Sequence, residues 1–224
     1  MEFTLKLSAP VTEKTGVVIV AQSVSELSPS ARALDTASDG QLVRALKTAG
    51  FEGKPGQSQL LPALVGTGDL KDLDSRGLQR AALTATKALA SGPKKAVSYL
   101  AELPIANTSL SDRLTAITRA SGEAAYRFDT FKSKKNGNKG LNHLTLAVDD
   151  KSQVAAGKKA VAWGEALASV INTARTLGNL PPNVCHPSYM ADQAKTLGKR
   201  NDKMLHVEVL GESDMKKLGM GSFL

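Results

Sequence analysis

Apolar and polar residues alternate with a period of two in three places: Phe3, Leu5 and Leu7; Leu144, Leu146 and Val148; Leu205, Val207 and Val209. Each stretch predicts a strand with one buried face. Continuous apolar runs predict strands covered on both faces: VVIV at 17–20, LLPALV at 60–65 and a weaker AVSYLAEL at 96–103. Pro62 cannot donate to a ladder, so the second run reads as an irregular or edge strand. Helical spacing fills the intervals. Leu42, Val43 and Leu46 share a face after Asp39, Asp74 or Ser75 caps a helix through about Leu89, and Ser111 starts another reaching Tyr126. Strand and helix alternate through residue 150, which predicts a layered α/β sheet.

From Lys151 to Leu177 the pattern changes. Trp163, Leu167, Val170, Ile171, Ala174 and Leu177 recur at helical spacing and form one apolar stripe. At ~1.5 Å per residue this helix runs roughly 40 Å, a rod leading out of a first domain. Gly178 is placed to end it in the left-handed conformation, and Pro181–Pro182 prevent its resumption. A new helix then starts with His186 as cap and Pro187 in its first turn, with Met190, Ala194 and Leu197 as its apolar stripe. The strand LHVEVL and a short helix around SDMKKLG follow, and GMGSFL reads as the first step of another strand. The expected organisation is an α/β domain over 1–150, a connecting helix over 151–178, and the beginning of a second α/β domain over 179–224.

Composition narrows the class. Hydrophobic residues make up 42% of the 224 positions, enough for a packed core, but aromatics are only 4%, so Ala, Leu and Val must build it. The formal charge of +8 is compatible with an anionic partner but is not concentrated. Its densest run, KSKKNGNKG at 132–140, reads as a solvated linker rather than a phosphate-contacting loop, since few aromatics lie near it to stack on bases. Cys185 is the sole cysteine, which excludes an intrachain disulfide and points to a reducing, cytoplasmic compartment. The start MEFTLKLSAP has no signal-peptide pattern, and no stretch approaches the ~18 apolar residues of a membrane span, so no membrane partner is expected.

Candidate chemistry is sparse. Cys185 and His186 are neighbours, so in extended backbone their side chains diverge and cannot form a thiolate–imidazole pair. His143, His186 and His206 do not have metal-ligand spacing. Asp69, Asp72 and Asp74 fail as a calcium loop, because Arg76 and Leu83 fall where oxygen ligands are required; a turn and a helix cap are expected instead. Gly66 and Gly68 in VGTGDL follow a strand, but Lys71 stands where a dinucleotide fingerprint needs its third glycine, so the pair reads as a tight turn. There is no G-x-S-x-G elbow. No residue is assigned a catalytic, cofactor-binding or metal-binding role.

The stretch ARTLGNLPPNVCHPSYMADQAKTL resembles the junction of the leucyl aminopeptidase (cytosol aminopeptidase) family, where a helix ending in Ala-Arg-x-Leu runs into N-x-P-P-N and a Pro-started helix. LVGTGDL, EAAYRFDTFKSKK and VEVLGESDMKKLGMGSFL fall in that family's order, and His186 stands where the family often has a Thr cap. The resemblance implies a mixed-sheet, three-layer, macro-domain-like N-terminal domain, a long connecting helix and an incomplete α/β catalytic domain. It implies a whole enzyme that releases N-terminal residues from peptides with two divalent metals, manganese or zinc, as a homohexamer of stacked trimers. Its metal ligands and catalytic residues would lie beyond the position matching Leu224, so this chain is expected to bind no metal, to be inactive alone, and to expose apolar sheet after about residue 180. DNA binding and ADP-ribose binding are the alternatives; for the second there is neither an Asn-rich ribose loop nor a triple-glycine phosphate loop.

Overall fold

A computed structural model describes residues 1–13, 18–22, 26–60, 63–134 and 140–224. The elements in chain order are β1 (Glu2–Leu7), β2 (Val18–Gln22), α1 (Pro29–Ala37), α2 (Gln41–Thr48), β3 (Ser58–Leu60), β4 (Ala63–Gly66), α3 (Ser75–Ala88), β5 (Lys95–Ser98), α4 (Leu110–Ala124), β6 (His143–Val148), α5 (Val154–Asn179), α6 (Pro187–Arg200) and α7 (Glu212–Lys217). Six strands form one mixed sheet in the order β1-β6-β5-β2-β4-β3, parallel except where β3 meets β4. The chain separates into two compact units, Met1–Ala174 and Arg175–Leu224.

In the first unit, pleating sends alternate residues to opposite faces. Leu5, Ile19, Val65, Leu144 and Leu146 meet Leu78, Ala82, Leu114, Ile117 and Ala160 from α3, α4 and α5. Val18, Val20, Val97, Tyr99 and Ala147 meet Ala31, Leu42 and Leu46 from α1 and α2. The sheet thus lies between helical layers, as the three-layer expectation requires. β2 reads as a continuous apolar run because both of its faces are covered, and Ile19 and Val20 are at most 1% exposed. Helix starts are set by side chains: Ser28 accepts from Ala31 N–H, Asp74 from Gly77 N–H at 2.7 Å, and Ser109 with Asp112 forms a reciprocal capping box.

Several expectations are corrected. α4 starts after Ser109 rather than at Ser111, because Ser109 and Asp112 satisfy each other's backbone N–H groups. The run 60–65 is not one strand: Ser58–Leu60 and Ala63–Gly66 pair antiparallel, and β4 lies inside the sheet rather than at its edge. Leu61 and Pro62 lie outside the described residues, as do Val17 of the VVIV run and 135–139 of the basic run. The run from 96 splits at Ser98, followed by a 3-10 turn at Leu100–Glu102.

The long helix differs most. Its buried face is Gly157, Ala160, Val161, Gly164 and Ala168, while Trp163 and Val170 are 62% and 68% exposed. Small residues win this face because α4 approaches closely. A Cβ on Gly164 would sit 2.7 Å from Thr115 O, and one on Gly122 2.6 Å from the Ala168 Cβ. Thr115 Oγ1 donates to Ala160 O at 3.1 Å and Asn172 Nδ2 to Gly122 O at 3.0 Å. The part of the helix in the first unit is therefore docked along α4. Gly178 is a helical residue, since α5 continues through Asn179 and Leu180 N–H still bonds to Thr176 O at 3.2 Å.

In the second unit, Val184 and Cys185 N–H both bond to Pro181 O at 2.9 Å, so PPNVC forms one tight turn. His186 caps α6, and Nδ1 accepts from Tyr189 N–H at 3.4 Å. Among the described residues LHVEVL has no ladder partner, and it does not form the expected strand; GMGSFL forms a 3-10 turn at Gly221–Phe223 rather than a strand start. A strand needs a neighbour for its backbone groups, and its alternation alone does not supply one. Gly198 is the only buried residue from Arg175 to Leu224, and Met204 and Phe223 are 87% and 72% exposed.

Candidate functional site at the carboxyl ends of the strands

In open parallel sheets, ligands gather outside the carboxyl ends of the strands, where successive connections leave in opposite directions. Here that point lies between β2, flanked by β4, and β5, flanked by β6. The surrounding groups are Gln22, the Gly66–Gly68 turn, the start of α1, Tyr99 and Glu102.

The Gly66–Gly68 turn has no room for a phosphate. A Cβ on Gly66 would lie 2.0 Å from Lys54 O, so the turn is pressed onto the backbone of 53–54. Gly68 adopts φ +80°, its N–H donates to Gly53 O at 2.9 Å, and Thr67 N–H donates to Gln22 O at 3.0 Å. The tight-turn reading holds, and glycine is required at both positions for geometric reasons.

The N-terminus of α1 is the obvious anion site, since helix N-termini present free N–H groups and positive dipole. It is already filled. Glu102 accepts from Ser30 N–H at 3.0 Å and from the Ser30 hydroxyl at 2.5 Å. Beside it, a cleft of about 680 Å³ is lined by Lys6, Ser8, Glu13, Tyr99, Glu102 and Asp149. Lys6, Ser8, Glu13 and Tyr99 form one network in it. The Lys6 ammonium lies 2.7 Å from the Glu13 carboxylate, whose side chain is only 5% exposed. Glu13 also accepts from the Ser8 hydroxyl, and the Tyr99 hydroxyl donates to Ser8 Oγ at 3.1 Å. Burial pushes the Tyr99 pKa up; the Ser8 bond opposes this, and the nearby Glu13 and Glu102 charges add to it. A neutral phenol in a self-paired network positions backbone rather than moving protons.

Sequence reasoning missed this cluster. Its members come from the end of β1, the following segment and the end of β5, and K-x-S and Y-x-x-E are too common to mark a site.

The residues examined for chemistry in the sequence are dispersed. Asp69 accepts from Lys71 N–H and Asp74 caps α3, so the acidic run is a turn and a helix cap. Cys185 Sγ contacts Met190 Sδ at 3.7 Å while His186 serves the backbone, so thiol and imidazole do not pair. His143 lies on β6 beside Thr4 Oγ1 at 3.1 Å, with Glu2 at 3.4 Å. Asp112 and Asp150 are held below the usual carboxylate range, chiefly by the Ser109 and Ser152 hydroxyls. Among the described residues, no three His, Cys, Asp or Glu side chains gather as a metal site. Three arginines are turned onto the fold itself: Arg113 bonds Ala101 O and Thr108 O, Arg119 bonds Gln79, and Arg127 bonds Ala90 O. Among the described residues, no helix is long and apolar enough to cross a membrane.

Residues 17–135 match the sequence model of the cytosol aminopeptidase family, N-terminal domain, and residues 172–224 match that of the same family's catalytic domain. A probable cytosol aminopeptidase of Methylobacillus flagellatus is 39% identical over 237 aligned positions, covering 100% of this chain and 47% of the relative. One from Alkalilimnicola ehrlichii is 43% identical over 210, covering 88% and 42%. The chain spans about half the length of the curated relatives it matches. A mutant of tomato leucine aminopeptidase shares the fold, with TM-score 0.83 and 19% identity over 98% of this chain and 46% of its own. The bottromycin maturation enzyme BotP, a structure of which is described in complex with Mn, aligns with TM-score 0.63 and 20% identity over 82% of this chain and 36% of its own.

Proposed function

This chain belongs to the cytosol aminopeptidase family, and from that premise we propose that it is the scaffold portion of a metal-dependent aminopeptidase that releases N-terminal residues from peptides. Met1–Ala174 would be the accessory α/β body, and Arg175–Leu224 the opening elements of the catalytic domain. In this reading the whole enzyme uses two divalent ions, manganese or zinc, works in the cytoplasm and assembles as a homohexamer. Bound ions of that kind activate water and polarise the scissile carbonyl.

Among the described residues, no three His, Cys, Asp or Glu side chains gather where they could hold such a pair of ions. Asp69, Asp74, Asp112 and Asp150 are spent on local N–H and O–H groups, and Glu13 and Glu102 on their neighbours. No catalytic step is therefore assigned to any side chain here.

One observation carries the reading. The segment matching the catalytic domain buries no apolar side chain between Arg175 and Leu224, so it has no core of its own to hold reacting groups in place. PPNVC and the His186 cap then act as a backbone junction, not a reactive centre. The test is hydrolysis of a leucine anilide by the purified chain with added manganese. No turnover is expected; metal-dependent turnover would overturn the assignment.

A further inference from the structure

β1 is an edge strand, and among the described residues its only strand partner is β6. The ladder occupies every second backbone position: Glu2 N–H donates to Asn142 O at 2.8 Å and Ser8 N–H to Val148 O at 3.2 Å. With this in-step parallel register, the backbone groups of Glu2, Thr4 and Lys6 face β6 and those of Phe3, Leu5 and Leu7 face outward. Among the described residues none pairs with these outward groups, and such a row of donors and acceptors is a template for another strand.

The side chains favour one occupant, a second copy of β1 running antiparallel. Outward-facing residues must oppose outward-facing residues, which allows two-fold registers centred on Phe3, Thr4 or Leu5. Only the register centred on Thr4 is charge-complementary. It sets Glu2 opposite the partner's Lys6 on both sides of the axis, Phe3 opposite the partner's Leu5, and Thr4 opposite the partner's Thr4. Centring on Phe3 or Leu5 opposes Glu2 or Lys6 to threonine instead.

The required groups are accessible. The Glu2 side chain is 85% exposed and lies 3.4 Å from His143 Nδ1. The Lys6 side chain is 41% exposed, and its ammonium keeps N–H donors beyond those used on Glu13. We propose that this chain self-associates edge to edge through β1 in the Thr4-centred register, joining the two sheets into one.

The test is sedimentation velocity over a concentration series. The unmodified chain is expected to self-associate, and Glu2→Lys, which opposes lysine to lysine twice, to weaken association about ten-fold. Adding Lys6→Glu to Glu2→Lys reverses both pairs and should restore association to within about three-fold of the original. Register is read independently in a Cys185→Ser background. Thr4→Cys places two thiols across a non-hydrogen-bonded pair, where Cα separation of about 4.5 Å allows a disulfide, whereas Leu7→Cys does not. Preferential cross-linking at position 4 supports the proposal even if the double variant misfolds. A monomer at every concentration, association unmoved by Glu2→Lys, or cross-linking at position 7 as fast as at 4 would overturn it.

Discussion

Replacing Gly164 by alanine tests the docking of α5 on α4. Alanine is the better helix former, by about 1 kcal/mol, so an isolated α5 would gain from the change. In the folded chain the new Cβ would lie 2.7 Å from Thr115 O, 2.7 Å from Thr118 Cβ and 3.2 Å from Thr115 Cα. Carbon contacts settle at roughly 3.5–4.0 Å, and a helix backbone cannot yield as a side-chain tip can. α5 must move outward, and a gap of about 0.5–1 Å forfeits a quarter to a half of each contact along the same face. Overpacking of this kind costs about 1–3 kcal/mol. Subtracting the propensity gain leaves a net loss of about 0–2 kcal/mol, or up to roughly 8 °C in Tm for a domain of this size. Val170→Ala is the counterpart on the outer face. Val170 is 68% exposed, so little packing is lost, and the propensity gain of about 0.5 kcal/mol leaves stability unchanged or slightly raised. Circular dichroism during urea or thermal unfolding reads both variants. A stabilised Gly164→Ala, or a Val170→Ala that loses as much as 2 kcal/mol, would refute the assignment of the buried face.

Ser109→Ala removes the α4 cap and should cost about 1 kcal/mol in urea unfolding at neutral pH. Ser109 also holds Asp112 below its ordinary pKa, so that contribution is present above the unfolded carboxylate pKa and lost as pH falls through the folded one; the gap between Ser109→Ala and the parent should narrow in acid. Tyr99 titrates above its ordinary value, chiefly through burial, so its contribution is full below the unfolded tyrosine pKa and lost as pH rises through the folded value. Ultraviolet titration should show one of the three tyrosines ionising late, and Tyr99→Phe should remove that late step while leaving the other two. Glu102→Ala strips the carboxylate from the α1 N-terminus and should lower stability by about 1–2 kcal/mol in thermal unfolding; an unchanged Tm would mean that Glu102 does not stabilise the start of α1.

The strands of the first unit were legible where alternation or a covered run coincided with a partner in the same chain, as at β1, β2 and β6. LHVEVL carries the same alternation but has no partner among the described residues, and it forms no strand. The α5 stripe misled for a different reason. Hydrophobicity singles out Trp163, Val170 and Ile171, but close approach of two helices selects residues for small size, and Gly157, Gly164 and Ala168 carry little hydrophobic signal. The antiparallel pairing of Ser58–Leu60 with Ala63–Gly66 was not legible, because Ser58 and Gln59 give β3 no apolar signal of its own. The family junction at 174–197 was readable from residues. The Lys6–Glu13–Ser8–Tyr99 network was not, since only the sheet order brings the end of β1 beside the end of β5.

The most direct test of the claim that this chain carries scaffold and no metal chemistry is a manganese titration followed by electron paramagnetic resonance, in which free aqueous Mn²⁺ gives a strong signal that binding suppresses. The account predicts that the signal rises in proportion to added manganese as in buffer alone. Saturable loss of two equivalents per chain would contradict it, and would place a metal site among carboxylates assigned here to caps and ion pairs.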